Sequence, residues 1–417
     1  MSPHVAPAGA QASGRAWPAA ARLAVVLVAL LALANLLVQV SWGLDAPPKT
    51  DYLAFSTGAR VIHDNPTCLY CDEVQTQTQA DILGYVPTSG FPKPYVNPPL
   101  IAFLMQPFSG LPLRTGLLVL MLVLLGCLAF AARLFLRLLP QEWPASQRLL
   151  LLAASMISLP AATALGLAQW APLLLLCALG ALAALRGGRP VLAGVLLSVL
   201  LIKPQTVWLV LPALVFAGAW RTLGGFALGS AGWGLTGLLL VGPSQLVEWP
   251  RLVLERHVDE AYRTAGLPGI VTAVTGSGQA AFVAAVVLAV LVVAGLALAH
   301  RRLRGRPELA VGLGIACSMA CAPHVFPDDL MLLAVTTVVW APRAPRAAAC
   351  ALLAVSAAYR VDGWLPSSLA HLTAVAALAI ACGCAVALWR VAAPVARRRL
   401  GVPAATPAAI GQGAGVG

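Results

Sequence analysis

An aspartate begins a short segment with helical apolar spacing near the start of the chain. Asp51 is followed by Tyr52, and Phe55, Ala59 and Ile62 continue the apolar positions. This spacing predicts a short amphipathic helix lying on a membrane surface, with Asp51 at its N-terminus. An aspartate there can cap the first helical turn, and a carboxylate at a membrane surface can also act as a general base. The two roles are compatible, and the sequence leaves both open.

A lysine interrupts a long apolar stretch in the middle of the chain. Lys203 is followed by Pro204, which cannot continue a helix, and by the polar Gln205. A charged side chain at membrane depth is costly and indicates a functional site. A lysine at the end of a span can instead extend its ammonium group to the interface. We favour the functional interpretation, because the proline and glutamine indicate an opened, polar-lined backbone.

A second polar cluster separates two apolar segments further along the chain. His324 lies beside Pro323, and Pro327 precedes Asp328 and Asp329. His324 and Asp328 are four residues apart and would share one face of a helix. Such a pair can contribute to a metal site, but no further convincing ligand set is visible. We therefore predict no metal ion and no cofactor.

Three further groups of residues have weaker signals. Residues 95–99 form a Tyr-Val-Asn-Pro-Pro sequence, which is typical of a junction between a loop and a helix. Gln169 lies in a polar turn between apolar segments. Cys68 and Cys71 form a C-x-x-C pair in a polar loop, which leaves a small disulfide, two free thiols or a redox pair open. A zinc site would need a second cysteine pair.

The composition requires a membrane. Sixty per cent of the 417 residues are hydrophobic and only 10% are charged, against about 25% charged residues in soluble proteins. The net charge is +12, which in a soluble protein would suggest a nucleic-acid partner. Here we attribute it to arginines in cytoplasmic loops and expect no nucleic acid to bind.

Apolar segments of suitable length predict an all-α, polytopic membrane bundle of about twelve transmembrane helices. An additional apolar stretch at residues 100–111 is too short to span, and we interpret it as an interfacial or re-entrant helix. The predicted spans are 21–40, 113–139, 149–165, 168–185, 190–202, 205–220, 223–242, 280–299, 308–322, 326–341, 347–360 and 368–391.

The positive-inside rule predicts the orientation of the bundle. With both termini in the cytoplasm, most arginines fall in short cytoplasmic loops and nearly all acidic residues fall on the other side. Two long outer loops then result, at residues 41–97 and 243–279. We predict a membrane domain over residues 20–395, between disordered cytoplasmic termini at 1–19 and 396–417. The chemically interesting residues all gather on the extracytoplasmic face of the cell membrane.

In their order along the chain, these motifs resemble glycosyltransferase family 87, over about residues 20–345. The family's members are GT-C-type membrane enzymes that use polyprenyl-phosphate sugars. Asn97 departs from the tyrosine that commonly precedes the diproline in this family. The resemblance rests on Asp51-Tyr52 with residues 56–59, Asn97-Pro98-Pro99 with Pro107 and Leu111-Pro112, residues 166–169, Arg189-Pro190, Ala193-Gly194 with Lys203-Pro204-Gln205, and Ala322-Pro323-His324.

The resemblance implies an inverting transfer of a sugar, with mannose the first choice, from a polyprenyl-phosphate donor to a lipid or glycan acceptor. Asp51 corresponds to the family's general base. Lys203 and His324 correspond to positions suited to the donor phosphate. The donor, the glycolipid or glycan acceptor and the membrane lipids are the expected partners. We expect the substrates to contact Tyr52, Tyr95, Asn97, Gln169, Gln205 and Asp328.

Other functions remain open at this point. Within the enzyme interpretation, a polyprenyl-phosphate-arabinose donor would make the protein an arabinofuranosyltransferase. Interrupted helices and charges at membrane depth are also typical of lipid or glycan transporters and flippases. The absence of a visible repeat and the long first loop favour an enzyme. A non-catalytic scaffold subunit is the remaining alternative.

Overall fold

The structure is a computed structural model that describes residues 19–86, 93–156, 159–259, 264–342 and 345–362, with isolated positions between 375 and 386. The described part of the chain is helical and contains no β-strand, which confirms the all-α class. The predicted disordered termini and nearly all of the predicted span at 368–391 lie outside the described residues.

Seventeen α-helices follow one another along the described ranges, several of them joined by single 3₁₀ turns. The α-helices are α1 (Ala19–Asp45), α2 (Tyr52–Asp64), α3 (Asp72–Leu83), α4 (Pro99–Ser109), α5 (Leu113–Leu138), α6 (Ala145–Met156), α7 (Leu159–Gly166), α8 (Ala171–Arg186), α9 (Pro190–Ser198), α10 (Val210–Phe216), α11 (Trp220–Asp259), α12 (Leu267–Thr275), α13 (Gly278–Leu298), α14 (His300–Leu303), α15 (Pro307–Cys321), α16 (Leu333–Trp340) and α17 (Pro345–Asp362).

Three of the described helices are long and apolar enough to cross a bilayer: Leu113–Leu138, Trp220–Glu255 and Gly278–Leu298. Helices α6 and α7 would add a fourth span if together they form one bent segment. Many large apolar side chains on α5 and α13 point outward, among them Leu122, Phe130 and Leu291. Such surfaces need lipid as their solvent, so the protein is a membrane protein. The count of twelve spans stays a prediction.

Several of the predicted spans consist of shorter helical pieces. The segment predicted at 190–202 consists of the nine-residue helix α9 and a 3₁₀ turn over Val199–Ile202. The segment predicted at 326–341 begins with a 3₁₀ helix over Pro327–Leu332 before α16. Pro204 closely follows the first of these segments and Pro327 begins the second, and a proline disfavours regular helix in the turn that precedes it. Lys203 and Asp328 both lie in such interruptions.

The first loop, at residues 41–97, is folded into the protein. The predicted helix after Asp51 is confirmed as α2, but its predicted position on a surface is wrong. Every residue from Tyr52 to Ile62 except Arg60 is buried, because both α4 and α3 pack against α2. The short apolar stretch at 100–111 is confirmed as the helix α4, whose Pro107 lies within the helix.

The second loop, at residues 243–279, is also largely helical. Helix α11 continues past a break at Gly242. The φ of Gly242 is 79°, a conformation that glycine adopts without strain. The side chain of Gln245 accepts a hydrogen bond from the N–H of Tyr70 at 2.9 Å. The indole N–H of Trp249 donates to the carbonyl of Val96 at 3.0 Å. These contacts join the second loop to the first.

A close helix crossing positions the candidate site. Helices α1 and α7 meet at Gly43 and Gly166, and a Cβ on Gly166 would lie 2.7 Å from the carbonyl oxygen of Gln39. Small residues allow helix backbones in a membrane to approach this closely. The crossing brings the end of α7 beside the start of α2, where the N–H of Asp51 donates to the carbonyl of Leu167 at 3.0 Å.

Candidate active site

Asp51 directly precedes α2, but its side chain makes no capping hydrogen bond there. Of the two roles that the sequence left open, side-chain capping is therefore not observed. The carboxylate instead has two long-range partners. Oδ1 lies 2.5 Å from Nζ of Lys93, and Oδ2 accepts a hydrogen bond from the side-chain amide of Gln169. The side chain is 20% exposed, so a carboxylate held in a defined orientation remains accessible to a ligand.

A strained turn holds Gln169 against Asp51. Ala168, between α7 and α8, has a φ of 61°, a left-handed conformation that costs a non-glycine residue roughly 1–2 kcal/mol. The turn is closed by a 2.7 Å hydrogen bond from the N–H of Gln169 to the carbonyl of Ala164. Backbone strain of this kind clusters at functional sites. The polar turn at 166–169 thus supplies one of the two groups that orient Asp51.

Lys93, which is not among the residues predicted from the sequence, supplies the other. Its carbonyl accepts a 2.6 Å hydrogen bond from the side-chain amide of the buried Gln79 in α3. A compositional signal was available, because the chain has only three lysines, Lys49, Lys93 and Lys203. Two of these three pair with carboxylates in the described structure.

Lys203 forms a buried ion-pair cluster with two neighbouring aspartates. Its Nζ lies 3.2 Å from Oδ2 of Asp328 and 2.7 Å from Oδ1 of Asp329. The lysine side chain is 9% exposed and that of Asp329 is fully buried. Buried charges persist only when they are paired and hydrogen-bonded. The cluster joins the interruption after α9 to the one before α16. Of the cluster's two carboxylates, the sequence predicts Asp328 as a site residue but not Asp329.

His324 precedes this cluster in an irregular segment. The shared helical face predicted for His324 and Asp328 is wrong, because the 3₁₀ helix begins only at Pro327. The half-buried imidazole packs edge-on against the ring of Phe326, with centroids 4.3 Å apart. The same segment contacts the second loop, since the N–H of Ala265 donates to the carbonyl of Val325 at 2.6 Å.

Two of the predicted substrate contacts, Tyr52 and Tyr95, are fully buried. Burial raises the pKa of Tyr52 to about 12, against a smaller opposing effect of the Arg60 charge. The hydroxyl of Tyr95 donates to the carbonyl of Pro98 at 2.6 Å and accepts from the N–H of Ala102 at 2.8 Å. In this geometry both tyrosines support the loop around Asp51, and neither is open to a substrate.

The remaining predicted contacts differ in their surroundings. The carbonyl of Asn97 accepts a 2.7 Å hydrogen bond from the hydroxyl of Tyr70. Gln205 lies half-buried in the 3₁₀ turn Pro204–Thr206, directly after Lys203. Gln169 is buried and engaged with Asp51. Of these three, Gln169 is therefore the one that the structure places in contact with another predicted site residue.

The two charged groups lie on elements that pack against each other. Helix α7, whose following turn carries Gln169, packs against the 3₁₀ helix Pro327–Leu332, which carries Asp328 and Asp329. The three carboxylates of Asp51, Asp328 and Asp329 face two ammonium groups, those of Lys93 and Lys203. Within the described residues, no group of three or more His, Cys, Asp or Glu side chains is arranged to hold a metal ion. The site can thus provide a proton acceptor beside cationic groups.

Cys68 and Cys71 are joined by a disulfide, with their Cα atoms 5.1 Å apart. This answers the question that the sequence left open between a disulfide and free thiols. The disulfide closes the turn that presents Tyr70, which contacts Gln245 in the second loop and stacks on Tyr95 at a centroid distance of 6.1 Å. It is therefore part of the junction between the two loops.

Comparison with known proteins identifies the family. No curated protein and no solved structure matched the sequence. The sequence model described as Glycosyltransferase family 87 matches residues 95–327, which is more than half of the 417-residue chain. The match contains Gln169, Lys203 and His324, whereas Asp51 and Lys93 precede it. The chain therefore belongs to glycosyltransferase family 87 and is a membrane glycosyltransferase.

Proposed function

We propose that the protein transfers a sugar, with mannose the first choice, from a polyprenyl-phosphate donor to a lipid or glycan acceptor at the extracytoplasmic face of the cell membrane. Asp51 acts as the general base. The observation that carries the proposal is the environment of this carboxylate. Lys93 and Gln169 each hold one of its oxygens, while a fifth of its side chain remains exposed.

The proposed reaction is a single displacement. The acceptor hydroxyl oxygen attacks the anomeric carbon, and its proton passes to Asp51. The bond between the anomeric carbon and the phosphate oxygen breaks, and its electron pair leaves with the polyprenyl phosphate. Inversion at the anomeric carbon would convert a β-linked donor into an α-linked product. Phosphate is a good leaving group, so the reaction needs no dedicated general acid.

The departing phosphate needs cationic or hydrogen-bonding groups. We assign His324 to this role, because it is half-buried in the segment that leads to Asp328 and Asp329. The sequence predicts the same role for Lys203, but its two buried carboxylate partners favour a positioning role. Through these contacts Lys203 would hold the segment around Asp328 against the interruption after α9.

A lipid-linked donor also suits the surroundings of the site. Apolar side chains cover the outside of the long helices, so the polyprenyl tail can remain in the bilayer while its phosphate reaches the polar cluster. The long first loop positions Asp51 through α2. A lipid or glycan acceptor would approach the exposed part of this carboxylate.

The test is transfer of radiolabelled mannose from synthetic polyprenyl-phosphate-mannose to a membrane-lipid extract by purified protein. We expect wild type to transfer mannose and Asp51→Ala to lose at least about 100-fold in rate, as expected for removal of a general base. Asp64→Ala is the matched control, because Asp64 is exposed at the other end of the same helix. This control should retain wild-type activity.

The outcomes separate the alternatives. Full activity in Asp51→Ala would contradict the assignment of the base. A folded wild type that uses polyprenyl-phosphate-arabinose and rejects the mannosyl donor would contradict mannose while keeping the donor class. Wild type that transfers neither sugar would contradict the polyprenyl-phosphate donor, and transport of the labelled lipid would then be measured in vesicles.

A further inference from the structure

Lys93 has a geometry that suits a ligand of the donor phosphate. Its ammonium group lies 2.5 Å from Oδ1 of Asp51, and its side chain is 31% exposed. A partly exposed ion pair of this kind contributes little net stability. An incoming anion can therefore replace Asp51 as the partner of Lys93 at low cost.

Lys203 is less suited to that exchange. Two carboxylates hold it, at 3.2 and 2.7 Å, and its side chain is 9% exposed. Removing it from Asp328 and Asp329 would leave buried charges without a counter-ion, which is strongly unfavourable. Of the two lysines in the candidate site, Lys93 is thus the one whose ammonium group can reach a ligand without breaking a buried cluster.

The backbone of Lys93 is fixed while its side chain is long and flexible. The buried amide of Gln79 holds the carbonyl of Lys93 at 2.6 Å. A lysine ammonium group at the end of a four-carbon stem can change partners by rotation of the side chain alone. A shift between Asp51 and a nearby phosphate therefore requires no movement of α2 or α3.

We propose that Lys93 binds the phosphate of the donor, and that Asp51 holds Lys93 until the donor arrives. This inference rests on the proposed function. When Lys93 moves to the phosphate, Oδ1 of Asp51 becomes free to accept the proton of the acceptor hydroxyl. Oδ2 stays bound to Gln169, so the base keeps its orientation. Donor binding then prepares Asp51 for the acceptor.

The contact also strengthens as the reaction proceeds. The donor phosphate is a diester with one negative charge, and it leaves as a monoester that gains charge. A cation beside it is therefore bound more tightly in the transition state than in the ground state. Lys93 would assist departure of the phosphate while Asp51 takes the proton.

The test is binding of undecaprenyl monophosphate to the purified, detergent-solubilised full chain. We expect Lys93→Ala to raise the Kd roughly 10-fold to 100-fold, as loss of a charged hydrogen bond implies. Lys93→Arg should recover much of the affinity. Lys49→Ala is the matched control, because Lys49 is an exposed lysine of the same loop, and it should bind like wild type.

Asp51→Ala provides a second, independent measurement. Without its carboxylate partner, Lys93 is available to the phosphate, so this variant should bind undecaprenyl monophosphate at least as tightly as wild type although it cannot catalyse transfer. Weaker binding by Asp51→Ala, or a Kd within about twofold of wild type for Lys93→Ala, would overturn the inference. Transfer of mannose or arabinose by wild type distinguishes this outcome from failure of the proposed donor class, in which wild type would neither bind undecaprenyl monophosphate nor transfer either sugar.

Discussion

The side-chain amide of Gln169 donates a hydrogen bond to Oδ2 of Asp51. The two residues are 118 positions apart in the chain, and the contact joins the turn after α7 to the start of α2. Because Lys93 holds the other carboxylate oxygen, Gln169 is the contact that keeps Asp51 oriented when Lys93 changes partners.

We expect Gln169→Ala to reduce kcat roughly 10-fold to 100-fold, since a hydrogen bond to a charged group contributes about 1.5–3 kcal/mol. The KM for the donor should change little, because Gln169 contacts the base. Steady-state mannose transfer measures both constants. Gln77→Ala is a close control, because the exposed Gln77 also donates to an aspartate, Asp81, at 3.0 Å. An increase in donor KM with unchanged kcat would instead place Gln169 in contact with the donor.

The buried pair of Lys203 and Asp329 predicts a large effect on stability. Lys203→Met should destabilise the protein by about 3–5 kcal/mol, because it leaves buried carboxylates without a counter-ion. The double variant Lys203→Met with Asp329→Asn should recover part of this loss. Thermal and denaturant unfolding in detergent measure the effect.

Arg251→Met is the control for Lys203→Met. The exposed pair of Arg251 and Glu255 should contribute no more than about 1 kcal/mol. If Lys203→Met is as stable as wild type but binds polyprenyl phosphate more weakly, Lys203 is a ligand of the phosphate and not a positioning residue.

The hydroxyl of Tyr95 has both a buried acceptor and a buried donor as partners. We expect Tyr95→Phe to cost about 1–3 kcal/mol, because the N–H of Ala102 is left without its acceptor. Tyr70→Phe is a useful comparison, since the Tyr70 hydroxyl has one partner, the carbonyl of Asn97. Its cost should be smaller. Equal effects of the two substitutions would contradict this argument.

Burial also predicts a loss of stability at high pH. The pKa of Tyr95 is raised well above its ordinary value by burial, with a smaller opposing effect from the N–H of Ala102. The unfolded state then loses the tyrosine proton first, at about pH 10. Protonated Tyr95 therefore makes its full contribution to the free energy of unfolding below that pH, and this contribution is lost as the pH rises towards the folded pKa. The free energy of unfolding, measured as the pH rises above about 10, should decline less steeply in Tyr95→Phe than in wild type.

The disulfide between Cys68 and Cys71 closes a very short loop. Reduction should therefore cost no more than about 2 kcal/mol by the loop-entropy argument. We expect dithiothreitol to lower the thermal stability of wild type slightly and to leave the Cys68→Ser, Cys71→Ser double variant unchanged. A mass increase of two hydrogen atoms after reduction checks that the disulfide was present. An equal response of both proteins to the reductant would show that another part of the chain is affected.

Local patterns predicted many of the elements. Apolar spacing after Asp51 identified α2, and the short apolar stretch at 100–111 identified α4. Helical periodicity is a local property, so it can be read from neighbouring residues. The same pattern misplaced α2 on a surface, because the helices that cover its other side come from different parts of the chain.

Local patterns could not predict which side chains pair across long distances in the sequence. The sequence identified Asp51, Lys203 and His324 as unusual residues, but it indicated no partner for any of them across the chain. Lys93 lies in a proline-containing loop without any periodic signal. Its importance comes only from its contact with Asp51, 42 positions away.

The sequence by itself determined that the chain is an all-helical membrane protein with the motifs of a glycosyltransferase family, because composition and proline spacing are properties of the linear chain. Only the tertiary structure decided which charges meet. The crossing of α1 and α7 at Gly43 and Gly166 brings the Gln169 turn to Asp51, and burial forces Lys203 to pair with Asp328 and Asp329. Packing and desolvation act between segments that are distant in the sequence, and they therefore determine which side chains pair.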